Sequence, residues 1–156
     1  KPEGYTPNLR PYNLETGEIS RVAYPNNSVQ QYRKAAVNSA SPLQLVIMLY
    51  DGAIRFMNQA KDAMEKRELE RQNEACKRAQ DIISELMSCL DLKQGGEIAQ
   101  NLFALYTFTF DRIVQANIED NPLLLDQSIQ VLAELRESWA TLEQQSQTNH
   151  SYANAS

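Results

Sequence analysis

Residues 41–64 read SPLQLVIMLYDGAIRFMNQAKDAM. Ser41 supplies a capping hydroxyl, Pro42 suits the first position of a helix, and Gln44 is placed to complete a capping box. Apolar residues then recur every three or four positions, at Val46, Leu49, Tyr50, Ala53, Phe56, Met57, Ala60, Ala63 and Met64. That spacing puts them on one side of a helix, so the stretch predicts a helix from Pro42 to about residue 65 with one buried face.

Three further helices are indicated downstream of this one. No proline occurs in residues 43–121. One helix over residues 42–92 would be roughly 75 Å long and could not fold back onto a core, which predicts a break near Arg67. Gly95-Gly96 is expected to end the second helix, and Asn121-Pro122 repeats the cap-plus-proline start for the fourth. Four helices of about 20 to 25 residues with short connections predict an all-α, antiparallel up-and-down four-helix bundle.

The two ends of the chain differ in composition from the helical part. Four of the six prolines and three of the seven tyrosines fall in the first 28 residues, which predicts a non-helical leader over residues 1–28. A processed terminus, a fused peptide and an extended arm all remain open for this leader. The bundle domain is expected over residues 29–145, and residues 146–156, which have nothing to bury, are expected to form a mobile polar tail. A short helical arm is indicated at the start of the domain by the spacing of Val29, Tyr32, Ala36 and Val37.

The composition excludes several classes of function. The 156 residues are 42% hydrophobic and 22% charged, which fits one ordinary globular domain. The formal net charge is -5 and the basic clusters are no longer than pairs, so nucleic acid is not an expected partner. The apolar runs are shorter than the roughly 18 to 20 residues of a membrane span, and the amino end lacks a signal pattern. The sequence therefore predicts a cytoplasmic protein.

Residues suited to catalysis or metal binding are scarce. The single histidine, His150, lies in the predicted tail, whereas a di-iron site in a bundle needs histidines on two helices. Asp51 sits in an apolar setting, and we interpret it as a capping group or a hydrogen-bonding group between helices rather than an acid-base catalyst. Cys76 and Cys89 would lie roughly 20 Å apart on one helix, too far for a disulfide, and are interpreted as small buried residues. The sequence thus indicates no enzyme, no cofactor and no metal.

Two of the predicted helices carry more apolar residues than one face can bury. Residues 43–50, LQLVIMLY, contain one polar residue in eight. Residues 102–110, LFALYTFTF, carry two apolar stripes. The predicted core stripe consists of Leu102, Leu105 and Thr109. The second stripe consists of Phe103, Tyr106 and Phe110. A wide core, packing against the segment before residue 41, and a groove for a helix of another protein are all consistent with this excess.

Several short motifs also follow one another in a fixed order. Ser39-Ala40-Ser41-Pro42 leads into Met48-Leu49-Tyr50-Asp51-Gly52-Ala53. Further along come Gly95-Gly96-Glu97-Ile98-Ala99, Leu105-Tyr106, and Leu135-Arg136 with Trp139. This series spans about residues 29–142 and resembles the FliS family, the export chaperones of flagellin.

The resemblance implies a non-catalytic helical bundle in the bacterial cytosol. Such a bundle binds the disordered C-terminal segment of flagellin in hydrophobic grooves, blocks premature polymerisation and aids delivery to the export gate. It also implies that an apolar residue three positions before a tyrosine, here Val29 and Tyr32, helps form or cover the binding surface. By hypothesis, eight residues line or edge the groove: Val29, Tyr32, Val37, Leu45, Leu49, Tyr50, Tyr106 and Phe110. The alternative is a non-catalytic adaptor or regulator that binds another export or regulatory protein.

Overall fold

Four helices account for nearly all of residues 41–155, the part of the chain that the structure, a computed structural model, describes. They are α1 (Pro42–Lys66), α2 (Leu69–Ser88), α3 (Gly96–Glu119) and α4 (Pro122–Asn154). No strand occurs within residues 41–155. None of these four helices is long and apolar enough to cross a membrane.

The starts of α1 and α4 follow from side chains that cap exposed backbone N–H groups. The Ser41 hydroxyl accepts from the backbone N–H of Gln44 at 3.2 Å, and the Gln44 side-chain oxygen accepts from the N–H of Ser41 at 3.0 Å. The Asn121 side chain accepts from the N–H of Leu123 at 3.1 Å. Both starts predicted from the sequence are therefore confirmed, each with a proline in the first turn.

The breaks between helices are made by residues in the left-handed region. Arg67 has φ of 55° and ends α1, which confirms the predicted break. Asp120 has φ of 52° and ends α3 in the same way. The prediction for Gly95-Gly96 was wrong in one respect, because α2 already ends at Ser88 and Gly96 is the first residue of α3. The turn between them forms because the Asp91 carboxylate accepts from two of the backbone N–H groups that follow it.

The helices form a ring around one core. Helix α1 packs against α2 and α4, and α3 packs against the same two helices, so α1 and α3 lie diagonally across the bundle. Asp51 and Lys61 of α1 pair with Arg136 and Asp126 of α4, and the reversed order shows that these two helices are antiparallel. The predicted all-α antiparallel four-helix bundle is confirmed. The leader over residues 1–28 and the helical arm after it lie outside the described residues.

The last helix is longer than predicted. The apolar stripe of α4 ends near residue 142, yet the helix continues to Asn154. Residues 144–154 contain neither proline nor glycine, and side chains bond along the helix there, as Ser151 does to the backbone oxygen of Gln147 at 3.1 Å. The last turns of α4 bury no side of the helix, so apolar residues do not recur there at helical spacing. The end of the helix therefore could not be predicted from that spacing. The predicted mobility of residues 146–156 stays a prediction.

Candidate partner-binding surface

Helix α3 buries one narrow face. Its buried residues recur at intervals of three and four: Ala99, Leu102, Tyr106, Thr109, Ile113 and Ala116. The sequence placed Leu105 on this face and Tyr106 on the second stripe, and that assignment was wrong. Tyr106 is 2% exposed, whereas Leu105 is only half-buried. The phenol can be buried because its hydroxyl finds a partner inside the core.

That partner belongs to an aromatic cluster formed by three helices. The hydroxyl of Tyr50 on α1 is hydrogen-bonded to the hydroxyl of Tyr106 on α3, and the ring centroids lie 6.1 Å apart at an interplanar angle of 57°. The indole Nε1–H of Trp139 on α4 donates to the Tyr50 hydroxyl at 3.1 Å. Burial raises the pKa of Tyr106 above its ordinary value, and burial also raises the pKa of Tyr50. Both phenols are therefore neutral hydrogen-bonding groups.

A second apolar side of α3 is left partly uncovered. We name it the α3 stripe, and it consists of Phe103, Thr107, Phe110, Val114 and Ile118. Phe103 is 37% exposed and Ile118 is 76% exposed, while the other three are half-buried. These positions advance by four, three, four and four residues, which keeps them on one side of the helix. The stripe extends over about 22 Å, given the rise of 1.5 Å per residue.

The α3 stripe lies on the flank of α3 that faces α2. Asn117 is seven residues after Phe110, two helical turns along the same side. Its backbone oxygen and its side-chain oxygen both accept from the Gln72 amide of α2, at 3.2 and 3.1 Å. The opposite flank faces α4, where the Ser128 hydroxyl donates to the backbone oxygen of Thr109 at 3.4 Å. This apolar flank beside α2 is therefore the described surface best suited to a partner helix.

Phe108 is a second exposed aromatic residue on α3, but its surroundings differ. It is 37% exposed, the same fraction as Phe103, and lies five residues along, about 140° around the helix. The guanidinium carbon of Arg112 lies 5.0 Å from the centroid of its ring. A cation over the ring covers part of one face and stabilises it in water. Phe108 is therefore less suited than Phe103 to anchor a partner.

Asp51 bridges two helices, as its sequence setting indicated. Arg136 Nε donates to one carboxylate oxygen of Asp51 at 2.5 Å, and Arg136 Nη2 donates to the other at 3.3 Å. The two-point contact fixes the orientation of the guanidinium plane. It also raises the pKa of Arg136 above its ordinary value. The interpretation of Asp51 as a hydrogen-bonding group between α1 and α4 is confirmed.

The remaining reactive side chains are dispersed. Within residues 41–155, no three His, Cys, Asp or Glu side chains are grouped so that they could hold a metal ion. Cys76 is buried, and burial raises the pKa of its thiol to about 11. Cys89 is exposed, so the prediction that both cysteines are buried was wrong for this one. It follows Ser88, the last residue of α2, where the packing surface of that helix ends.

The structure distributes the eight predicted groove residues among three environments. Leu49, Tyr50 and Tyr106 are in the core, at 4%, 0% and 2% exposed. Leu45 and Phe110 are half-buried, on the diagonally opposed helices α1 and α3. Val29, Tyr32 and Val37 lie outside the described residues. Val114 and Ile118 were not predicted as groove residues, although their helical spacing from Phe103 and Phe110 was a readable signal.

Comparison with known proteins assigns the chain to a family. A family model described as flagellar protein FliS matches residues 25–146. The flagellar secretion chaperone FliS of Vibrio cholerae is 40% identical over 116 residues, covering 72% of this chain and 85% of the relative. The proteins of the same name from Salmonella typhimurium and Bacillus subtilis are 36% and 34% identical, covering 75% and 72% of this chain and 84% of each relative. The chain therefore belongs to the FliS family of flagellar proteins.

Proposed function

We propose that this protein is a non-catalytic export chaperone of the bacterial cytosol that binds the C-terminal segment of flagellin. It keeps that segment from polymerising before export and brings it to the flagellar export gate. Membership of the FliS family supports the chaperone role, since the relatives from three organisms carry the name flagellar secretion chaperone.

The α3 stripe is the observation that carries the proposal. It presents two phenylalanines and two aliphatic residues beside α2, on a bundle whose core is already filled by its own helices. A disordered segment with apolar residues at helical spacing can fold into such a groove. Burial of about 1,000 Å² of apolar surface contributes roughly 25 kcal/mol, most of which offsets the cost of ordering the segment. The affinity that remains is reversible, as release at the export gate requires.

The eight residues named from the sequence take different parts in this proposal. Phe110 contacts the client directly, and Val29, Tyr32 and Val37 form or cover the groove from the N-terminal side. Leu45 is half-buried on α1, diagonally across the bundle from the α3 stripe, and edges a separate part of the surface. Leu49, Tyr50 and Tyr106 support the surface from within, because a client can touch buried side chains only if the helices move apart.

Calorimetry with a peptide that spans the flagellin C-terminal segment tests the proposal. We expect micromolar or tighter binding to the full chain, and Phe103→Ala should weaken it by about tenfold because an aromatic anchor is lost. Phe108→Ala is the matched control, since it removes the same side chain at the same exposure from another side of α3. Its affinity should stay within about twofold of the wild type.

Two results would contradict the proposal. Absence of binding to the wild type at tens of micromolar peptide would remove the chaperone function, and a pull-down that recovers another export or regulatory protein would favour the adaptor alternative. Equal losses in Phe103→Ala and Phe108→Ala would remove the α3 stripe as the site while leaving the function intact.

Tyr32→Ala tests the proposed part of the N-terminal segment. Binding should weaken while the helical circular dichroism stays that of the wild type, because Tyr32 precedes the first helix of the bundle. Collapse of the helical signal would instead give Tyr32 a role in holding the core together.

A further inference from the structure

The hydroxyl contact between Tyr50 and Tyr106 joins the two helices that lie diagonally across the bundle. Helices α1 and α3 each pack against α2 and α4, and they face each other only diagonally through the core. The two tyrosines span that diagonal, and both are almost completely buried. The third member, Trp139, ties the same hydroxyl of Tyr50 to α4. Three of the four helices are thus linked at one level of the bundle by polar atoms.

Tyr106, the residue that α3 contributes to this contact, lies in the same helical turns as the first residues of the α3 stripe. Tyr106 is three residues after Phe103 and four before Phe110. A rotation of α3 that moves those two phenylalanines therefore moves the Tyr106 hydroxyl as well. A hydrogen bond weakens steeply with distance and angle, and a buried hydroxyl has no water to replace its partner. The contact therefore resists rotation of α3 in a way that apolar packing alone does not.

We propose that Tyr50 and Tyr106 are positioning residues whose hydroxyl contact forms a strut across the bundle. The strut fixes the rotation of α3 and thereby sets where the α3 stripe lies relative to α2. Its link to client binding rests on the function proposed above, whereas its effect on α3 itself does not. Trp139 completes the strut on the α4 side and, as the single tryptophan of the chain, reports on it.

Hydrogen exchange tests the strut without any client. Tyr50→Phe removes only the hydroxyl, from a residue on α1, yet it should raise amide exchange in residues 102–113 of α3. We expect that rise to be at least about tenfold larger than the rise in residues 72–86 of α2, because loss of the diagonal contact frees α3 locally. A merely structural hydroxyl would lower global stability and raise exchange in both helices equally, and that result would overturn the strut.

Thr109→Val is the matched control for a lost buried hydroxyl. Thr109 is fully buried on α3, but its hydroxyl donates to the backbone oxygen of Leu105 in the same helix, at 2.9 Å. The variant therefore loses a buried hydrogen bond while the diagonal contact stays. Its exchange should rise by similar factors in α2 and α3. A selective rise in α3 equal to that of Tyr50→Phe would show that any buried hydroxyl has this effect, and would overturn the strut.

Peptide titration then tests the link to the α3 stripe. Tyr50→Phe and Tyr106→Phe should each weaken binding of the flagellin C-terminal peptide about fivefold, with Thr109→Val within about twofold of the wild type. Saturating peptide should shift the Trp139 emission in the wild type and in Thr109→Val, and this shift should be lost in Tyr106→Phe. Wild-type affinity in both tyrosine variants together with an unchanged shift would overturn the link. If the wild type binds no peptide, the proposed function fails and hydrogen exchange alone decides whether the strut exists.

Discussion

Helices α1 and α3 are nearly equal in length, at 25 and 24 residues, and both were expected to carry more apolar residues than the bundle can hide. Ten residues of α1 are buried, against six of α3. Among the described residues, the large apolar side chains that remain exposed include four on α3 and none on α1. The predicted excess therefore appears as exposed large side chains on α3 and not on α1.

The small residues of α1 explain how that helix hides its apolar side chains. Gly52, Ala53, Ala60 and Ala63 are all buried, and residues with no side chain or only a methyl group let neighbouring helices approach closely. Larger residues such as Phe56 and Met57 then fill the space between them. Helix α3 instead carries Phe103 and Phe108, each 37% exposed, which the other three described helices do not cover fully. Small residues within an apolar run let adjacent helices pack closely and bury it. An apolar run thus indicates a binding surface only where such small residues are missing.

The largest effect that separates the two helices is expected from side-chain truncation. Met57→Ala removes a fully buried side chain from α1 and should lower the free energy of unfolding by about 2–5 kcal/mol, because it leaves a cavity. Phe103→Ala removes a larger side chain from α3 but should cost about 1 kcal/mol or less, because part of that ring is already in water. Urea denaturation of both variants measures the difference. Equal losses of stability in the two variants would show that Phe103 belongs to the core, and α1 and α3 would then not differ in how they bury their apolar side chains.

The turn before α3 should show the next largest effect. A Cβ added at Gly95 would lie 2.5 Å from the Cβ of Ala99 and 2.6 Å from the backbone oxygen of Asp91. Gly95→Ala is therefore expected to cost about 1–3 kcal/mol, because the backbone must shift. Gly96→Ala meets no atom within 4 Å but has φ of +57°, so it should cost about 1 kcal/mol through strain alone. Thermal unfolding of the two variants compares them, and a milder Gly95→Ala would show that the turn relaxes freely.

The start of α1 is held by a side chain rather than by glycine. Ser41→Ala removes the hydroxyl that accepts from the N–H of Gln44 and should cost about 1 kcal/mol. Ser41→Asp keeps an acceptor at the same place and should stay within about 0.5 kcal/mol of the wild type. Chemical denaturation measures both. If the two variants lose the same stability, the hydroxyl is not the group that holds the start of α1.

Features of the fold that depend on residues close in sequence could be predicted, whereas features that depend on distant residues could not. Ser41, Asn121 and the prolines after them act within three residues, so the helix starts could be predicted from short motifs. The burial of Tyr106 instead depends on Tyr50 and Trp139, residues distant in sequence. Leu105 and Tyr106 are neighbours at the edge of one face, and spacing alone cannot say which of them turns inward. Tyr106 turns inward because its hydroxyl finds a partner in Tyr50 on α1, and Trp139 on α4 donates in turn to the Tyr50 hydroxyl.

The candidate site was harder to predict than the fold for a related reason. Phe110 is half-buried and packs against the core, and three of the residues assigned to the groove are core residues. Motifs shared with a family mark residues that matter, and they do not say whether those residues matter for packing or for binding. Gly52 and Tyr50 belong to one such motif, and both are buried. Exposure, which decides between the two roles, emerges only when the helices are packed together.

The far ends of α1 and α3 are both tied to the first turn of α2, by different chemistry. The Asp62 carboxylate of α1 accepts from Arg71 at 2.7 Å and from Lys66 at 3.0 Å. The end of α3 is held instead by Gln72, whose amide donates to the backbone oxygen of Asn117 at 3.2 Å. The same amide donates to the Asp120 carboxylate at 2.7 Å, so each end includes a carboxylate. Only the carboxylate at the end of α1 is paired with two cations, so salt should weaken the tie at α1 more than the tie at α3.

Acid titration of Asp62 gives the smallest effect and the most local one. Hydrogen bonds from Arg71 and then from Lys66 hold the pKa of Asp62 below its ordinary value of 3.8. Since the folded state binds this proton less readily than the unfolded state, the tie stabilises the fold above pH 3.8 and is lost as the pH falls through the lowered pKa. Arg71→Gln should return the pKa toward 3.8, and Lys66→Gln should do so less, in a titration followed by the carboxyl carbon shift. An Asp62 pKa that stays low in both variants would mean that the two cations do not hold the end of α1.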